Sequence, residues 1–323
     1  MVLKHGLNNN NLPYREVDLF EQMLLDLKHY YGATVVAKKT HQHYVTFDAV
    51  HPISSAQINI RREISDLLIV VYSPSRHIAR ATFLQAKVAR NGCGLNGAKF
   101  NFDGQYFQYY LLSKRPMFRC ANCGFPYDVL RNAYLSSIGS YGIFYKDMSG
   151  KVNFAYQPAD LLLPQPPYTN IKSWHFECDN SKTYYSPKGI PDLYCTYDID
   201  VFEKELINLR LGSPITINRR CWPHPHFWWH HLVHSIVSSN QSDDLIHEVL
   251  MGVDEFDEFL ILNEERFLSE YRERPLNLSA YEEVRNLNIP LAEYNEDNVR
   301  GEEQLCRGSY SFALINIDKI HPN

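Results

Sequence analysis

Apolar and polar positions in the first third of the chain follow two different periods. Over residues 14–31, Val17, Phe20, Leu24, Leu27 and Tyr31 recur at steps of three and four, which predicts an amphipathic helix that Gly32 ends. Three extended runs follow. Residues 55–62 alternate through Ala56, Ile58 and Ile60. Residues 66–73 (DLLIVVYS) are apolar and β-branched almost throughout, the pattern of a strand covered on both faces. Residues 81–88 (ATFLQAKV) form the third run, and Ser73-Pro74-Ser75 supplies the turn between the last two.

Beyond these, residues 105–113 and 127–137 read as helices, and 141–145 with 152–156 as a hairpin across Ser149-Gly150. Helix, strands, helices and strands in that order predict an α/β core. Prolines cluster in 163–168 (LPQPPY), which sets the expected boundary: a first domain over 1–162 and a second region over 163–323. The second region reads as mainly helical, with helices at 199–211, 227–238, 243–251, 255–271 and 280–287 and a strand at 310–317. No internal repeat is visible, and the Asn-rich start is the only low-complexity piece.

Composition narrows the class. With 323 residues, 45% of them hydrophobic and 21% charged, the chain is in the globular range. The longest notable apolar run, 67–72, is far too short to cross a bilayer, and the first residues lack the apolar stretch of a secretory signal. Seven cysteines, an odd number, argue against a disulfide framework, so a cytoplasmic protein without a membrane partner is expected. The net charge of −5 is unevenly spread. From Arg76 to Arg119 there are eight Lys/Arg against one acid, Asp103, whereas from Asp243 to Glu303 there are eighteen acids against five arginines. A basic segment beside an acidic one can draw phosphate to one surface.

The basic segment holds the strongest chemical signal. Asp66 opens the buried strand, and after eighteen intervening residues Gln85-Ala86-Lys87 stand near the end of the next. If the two strands are antiparallel neighbours, these polar groups converge at one end of an apolar sheet, with 85 and 87 on the same side because side chains alternate. Phosphodiester cleavage needs such a group. The Asp66 carboxylate, the Gln85 side-chain oxygen and the Ala86 main-chain carbonyl are hard oxygen ligands suited to Mg²⁺ or Mn²⁺. Lys87 can stabilise charge that develops on the phosphoryl group.

Asp66 with Gln85-Ala86-Lys87, preceded by Glu63-Ile64-Ser65, resembles the PD-(D/E)xK restriction-endonuclease-like superfamily in its QxK form. The surrounding strands and the aromatic segment 104–118 (GQYFQYYLLSKRPMF) are most similar to effector nucleases of bacterial anti-phage systems of the Lamassu and CBASS type. The resemblance spans residues 14–160. It implies a mixed sheet flanked by helices, a metal-dependent endonuclease with DNA favoured over RNA as substrate, and a helical second region that regulates or binds partners. In Lamassu-like systems those partners are an SMC-like ATPase and a small accessory subunit; the resemblance also implies homo-oligomerisation on activation. The chain departs from the family pattern twice: Ser65 stands where the name-giving proline would be, and Gln85 replaces the acid. Many relatives add an acid from the first helix. Glu16 lies about 50° from the centre of the apolar stripe and Glu21 about 90°, which favours Glu16. Arg62, Arg90, Lys99, Gln105, Lys114 and Arg115 flank the motif and are the candidates for contacting nucleic acid.

Other signals are weaker. Cys120-Ala-Asn-Cys123 with His175-Phe-Glu-Cys178 could supply four ligands to a structural Zn²⁺, although the long gap is unlike a compact finger. His230 and His234 stand at i, i+4 within an aromatic stretch, 222–236, better read as core or interface. Residues 92–97 are glycine-rich but lack the lysine of a phosphate-binding loop. Two alternatives to a nuclease stay open: a non-catalytic subunit that binds nucleic acid or a partner on the same fold, and a metal hydrolase centred on the histidines.

Overall fold

A strand buried on both faces must lie inside a sheet with cover on each side, and β4 (Leu67–Ser73) does, with all seven residues buried. The computed structural model describes residues 2–8, 12–37, 44–89, 100–120, 129–131, 133, 135–165, 174–178, 195–215, 251–262 and 311–320. β4 pairs antiparallel with β5 (Ile78–Val88) and parallel with β13 (Ser311–Asn316), which pairs in turn with β1 (Thr34–Ala37). On its other edge β5 is joined in parallel by β8 (Gly139–Lys146), followed by antiparallel β9 (Val152–Pro158). The short β12 (Ser213–Pro214) pairs with Arg80 and Ala81 of β5, beyond the reach of β8. The result is a mixed seven-stranded sheet.

The two faces of this sheet divide the core by side-chain parity. Leu67, Ile69, Val71, Leu84 and Ala86 face α1 (Leu3–Leu7), α2 (Glu16–Tyr31) and α4 (Ile199–Ile207). Leu68, Val70, Tyr72, Phe83, Tyr141 and Ile143 face α3 (Tyr106–Lys114) and a helix over 251–262 (α5). Two smaller sheets accompany this second face. One runs β3 (Gln57–Glu63), β2 (Tyr44–Val50), β7 (Arg119–Cys120); the other runs β10 (Leu163–Gln165), β11 (Trp174–Cys178), β6 (Phe100–Gly104). The architecture is therefore mixed α/β.

Several expectations need correcting. Val17 is 62% exposed, because the buried stripe of α2 is centred on Leu19, Met23 and Leu27, a phase shifted from the one expected. Gly32 does end the helix, in the left-handed region at φ 56°, where a side chain would be strained. Residues 127–137 do not form a helix in their described part: 129–131 is a turn and Ser136–Ile138 a single 3-10 turn. The Ser137 carbonyl accepts from Thr82 Oγ1 at 2.9 Å and Ser140 Oγ at 3.0 Å, side-chain bonds that displace a helical ladder there. α4 stops at Ile207, four residues short of the expected end, and Leu209 and Gly212 then take positive φ. Residues 251–262 bridge the expected gap between two helices, while 227–238 and 280–287 lie outside the described residues. Both sides of residue 162 contribute strands to the main sheet, since β12 and β13 belong to it, so the expected boundary does not separate two sheets.

Candidate active site

Asp66 sits one residue before β4, held from both sides by its main chain. Its N–H donates to Leu84 O at 3.1 Å and its carbonyl accepts from Ser311 N at 2.7 Å. Oδ2 of its side chain accepts from Ala86 N at 2.7 Å and from the Gln85 amide. Oδ1 accepts no hydrogen bond from any described residue. Main-chain groups alternate along a strand as side chains do. Leu84 O and Ala86 N both turn toward Asp66, so the carbonyl of Ala86 points to that side as well.

Lys87 lies two residues beyond Gln85, on the same side of β5. Its ammonium donates to Glu16 Oε1 at 2.9 Å. Glu16 is the first residue of α2, and the approach of that helix is fixed by Tyr14, whose hydroxyl donates to Phe144 O at 3.3 Å and Ala89 O at 3.4 Å. The entry to α2 is thus tied to the ends of β5 and β8. Glu21, the other acid weighed on this helix, is exposed.

Three further groups complete the environment. Glu63, the last residue of β3, is near enough to Asp66 and Lys87 for both charges to act on it, and its Oε1 is buried without a partner among the described residues. Tyr141 stands beside Gln85 in the parallel register of β5 and β8; its hydroxyl is fully buried and likewise has no described partner. Gln108 on α3 donates to Ile64 O at 3.0 Å and so holds the segment between Glu63 and Asp66. Neither Glu63 nor Tyr141 had been expected in the site, although Glu63 lies inside the motif's own stretch.

Burial dominates the electrostatics. It raises the Asp66 carboxyl; Lys87 opposes this, Glu16 adds to it, and the Ala86 and Gln85 donors oppose it, leaving a pKa of about 6. Burial, then Asp66, push Glu63 up to about 8 against the pull of Lys87. Lys87 loses by burial but gains more from Glu16, Asp66 and Glu63, so its pKa is raised and it stays an ammonium. Among the described residues no three His, Cys, Asp or Glu side chains are arranged to hold a metal ion. A cation here would therefore draw on the Gln85 amide oxygen and the Ala86 carbonyl as well as on carboxylates. Glu63 Oε1, buried without a described partner, and Asp66 Oδ1, which accepts from no described residue, are the oxygens that fit such an ion, since a buried polar atom left unpaired is costly.

The other expected residues are scattered. Arg90, Lys99 and Cys123 lie outside the described residues, and the side chain of Cys120 does too. The Arg62 guanidinium lies 5.8 Å from the centre of the Phe107 ring, a packing role on the core side of β3. Arg115 turns its guanidinium to Ala133 O and Leu135 O, both at 3.4 Å, and so braces a loop. Lys114 is exposed and Gln105 half-buried at the start of α3. His175 and Cys178 occupy positions of opposite parity on β11, whose burial alternates, so they face opposite sides of the strand. Burial also pushes the Cys178 thiol well above its usual value, and His175 Nδ1 lies 3.3 Å from Asp103 Oδ1. The pair does not form half of a zinc site as placed. The histidines of 222–236 and the glycines of 92–97 lie outside the described residues.

No helix among the described residues is long and apolar enough to cross a membrane. No family model, curated protein or solved structure matches the chain.

Proposed function

We propose that this site cuts nucleic acid, DNA in preference to RNA, as a metal-dependent endonuclease of the restriction-endonuclease-like kind. The observation that carries the reading is the meeting of Asp66, Gln85 and Lys87 at one end of the sheet, with Glu16 brought to the same place by α2. The local order supports it: a β4–β5 hairpin bearing the polar groups, then α3, then β8 parallel to β5. Asp66 Oδ1, the Gln85 amide oxygen and the Ala86 carbonyl would hold Mg²⁺ or Mn²⁺. When bound, such an ion polarises the phosphoryl oxygen and lowers the pKa of attacking water. Lys87 would place a fixed positive charge where the phosphoryl group gains negative charge, and Glu16 orients that ammonium. The sheet end keeps both groups rigid, so little reorganisation opposes reaction.

The resemblance extends the proposal to a defence effector that works within a complex, with an SMC-like ATPase and a small accessory subunit as partners. Incubating the full chain, alone and with the proteins encoded beside it, with supercoiled plasmid and Mg²⁺ or Mn²⁺ tests the proposal. Metal-dependent nicking that Lys87→Ala removes supports it. No cleavage by the assembled proteins, with either metal and on DNA or RNA, replaces it with a non-catalytic binding subunit.

A further inference from the structure

Two buried polar atoms near Asp66 lack any described partner, and they come from different elements. Glu63 Oε1 belongs to β3, in one of the small sheets, and the Tyr141 hydroxyl to β8 in the main sheet. Tyr141 is fully buried, beside Gln85 in the register, and the charges of Asp66 and Glu16 both act on its hydroxyl. Leaving a buried polar group unpaired costs about 1–3 kcal/mol, more if it is charged. The unpartnered Glu63 oxygen stands three residues from Asp66, whose Oδ1 accepts from no described residue, and that pair defines a place for a bound species. Its chemistry follows from the donors: two carboxylates and an amide oxygen suit a hard divalent cation, and the Tyr141 hydroxyl can donate to water bound beside it. Position reinforces this. Gln108 holds Ile64 O and Ser65 is buried, so the short link from Glu63 to Asp66 is fixed and the two carboxylates keep their relation.

We propose that Glu63 is a direct ligand of the divalent cation, supplying the second acid of the site in place of the one that Gln85 lacks. The inference rests on the reading of this site as a cation centre, and it adds a ligand from a sheet outside the motif strands.

The test is calorimetric titration of Mn²⁺ into the full chain without nucleic acid, for wild type, Glu63→Gln and Asp66→Asn, with thermal melting of each protein with and without Mn²⁺. Glu63→Gln keeps the shape and removes the charge. It is expected to weaken Mn²⁺ binding by about tenfold or more. The metal-free variant should melt no lower than wild type, because Glu63 Oε1 has no described partner to lose, whereas a purely structural Glu63 would make it melt lower. Mn²⁺ should then raise the melting temperature of wild type more than that of the variant. Binding by Glu63→Gln equal to wild type, or no Mn²⁺ binding by wild type at millimolar concentration, overturns the inference. Should Glu63→Gln fail to fold, Glu63→Leu takes its place in the same titration. Plasmid cleavage measured in parallel keeps the two ideas apart. Mn²⁺ binding that depends on Glu63, without cleavage under any condition, supports the ligand role and overturns the nuclease reading.

Discussion

The ammonium of Lys87 lies 2.9 Å from Oε1 of Glu16, and this ion pair joins the end of β5 to the first turn of α2. The Lys87 side chain is 17% exposed and that of Glu16 40%, so Glu16 can regain water if its partner is removed. Lys87→Ala also leaves the Asp66 carboxylate without its counter-charge, so it is expected to cost about 1–3 kcal/mol of stability. Cleavage should fall about a hundredfold or more, since the lysine acts on charge present only in the transition state. Circular dichroism melts and plasmid nicking on the same preparation check both halves. A well-folded variant that cuts at the wild-type rate removes Lys87 from the site.

Asp66 and Gln85 should respond oppositely to added metal. Asp66→Ala removes a carboxylate oxygen facing the site and is expected to abolish metal-dependent cleavage at all Mg²⁺ concentrations tried. Gln85→Glu adds a carboxylate at nearly constant shape, so some cleavage should persist and half-maximal rate should come at lower Mg²⁺. The new carboxylate also loses the amide that donates to Asp66, which limits the gain. A Mg²⁺ titration of initial rates for the three proteins decides this. Identical metal dependence in wild type and Asp66→Ala would exclude direct ligation.

The parts of the site legible in the sequence are those built from local chain. The continuous apolar run of β4, the short turn after it and the parity of residues 85 and 87 follow from the period of two, and the hairpin register brings Gln85 beside Asp66. The angular argument on α2 also selected Glu16 over Glu21, although Val17 misled as to the centre of the buried stripe. What the sequence hid is non-local. β13 lies between β1 and β4, and no local pattern announces a partner from the far end of the chain. β3 reads as one more strand of the core, yet it belongs to another sheet, and the pattern of residues 55–62 gives no sign that Glu63, three residues before Asp66, has a buried oxygen without a described partner. Tyr141 reads as an ordinary apolar strand position; its significance lies in a hydroxyl without a partner among the described residues.

Asp318 shows how the far end of the chain is fastened. Its carboxylate accepts from Ser73 Oγ at 2.7 Å, Ser75 N at 2.7 Å and Ser75 Oγ at 2.9 Å, tying the turn between β4 and β5 to a residue 245 positions from Ser73. Burial is the largest single influence and pushes this carboxyl up, but the serine donors and Arg76 together outweigh it and hold the pKa below the usual value. The sign follows: the stabilisation is present above the unfolded pKa of about 4 and is lost as pH falls through the lower folded value. Asp318 is exposed, so Asp318→Ala should cost about 1 kcal/mol near neutral pH rather than the full sum of three hydrogen bonds. Denaturant melts at neutral and acid pH test this. The gap between variant and wild type should shrink with acid, and a gap independent of pH would count against the carboxylate.

Gly139, the first residue of β8, links the packing of the fold to the site. A Cβ there would come within 2.5 Å of Leu112 O and 3.0 Å of Leu112 Cα, so the main chain of α3 lies directly on the start of β8. The backbone at Gly139 is extended, with φ −110°, so the restriction is steric rather than conformational. Gly139→Ala must push α3 outward, because a helix backbone cannot yield as a side-chain tip can. Overpacking of this kind costs about 1–3 kcal/mol. The same helix carries Gln108, whose amide holds Ile64 O two residues before Asp66. Displacing α3 should loosen that bond and with it the position of Asp66, so the variant should lose cleavage beyond what its stability explains. Gln108→Leu separates the two effects: it leaves α3 in contact with β8 but removes the bond to Ile64. If the site depends on that bond, both variants should need more Mg²⁺ for half-maximal cleavage while only Gly139→Ala melts at a markedly lower temperature. An unchanged Mg²⁺ requirement in Gln108→Leu would mean that α3 supports the sheet without positioning Asp66.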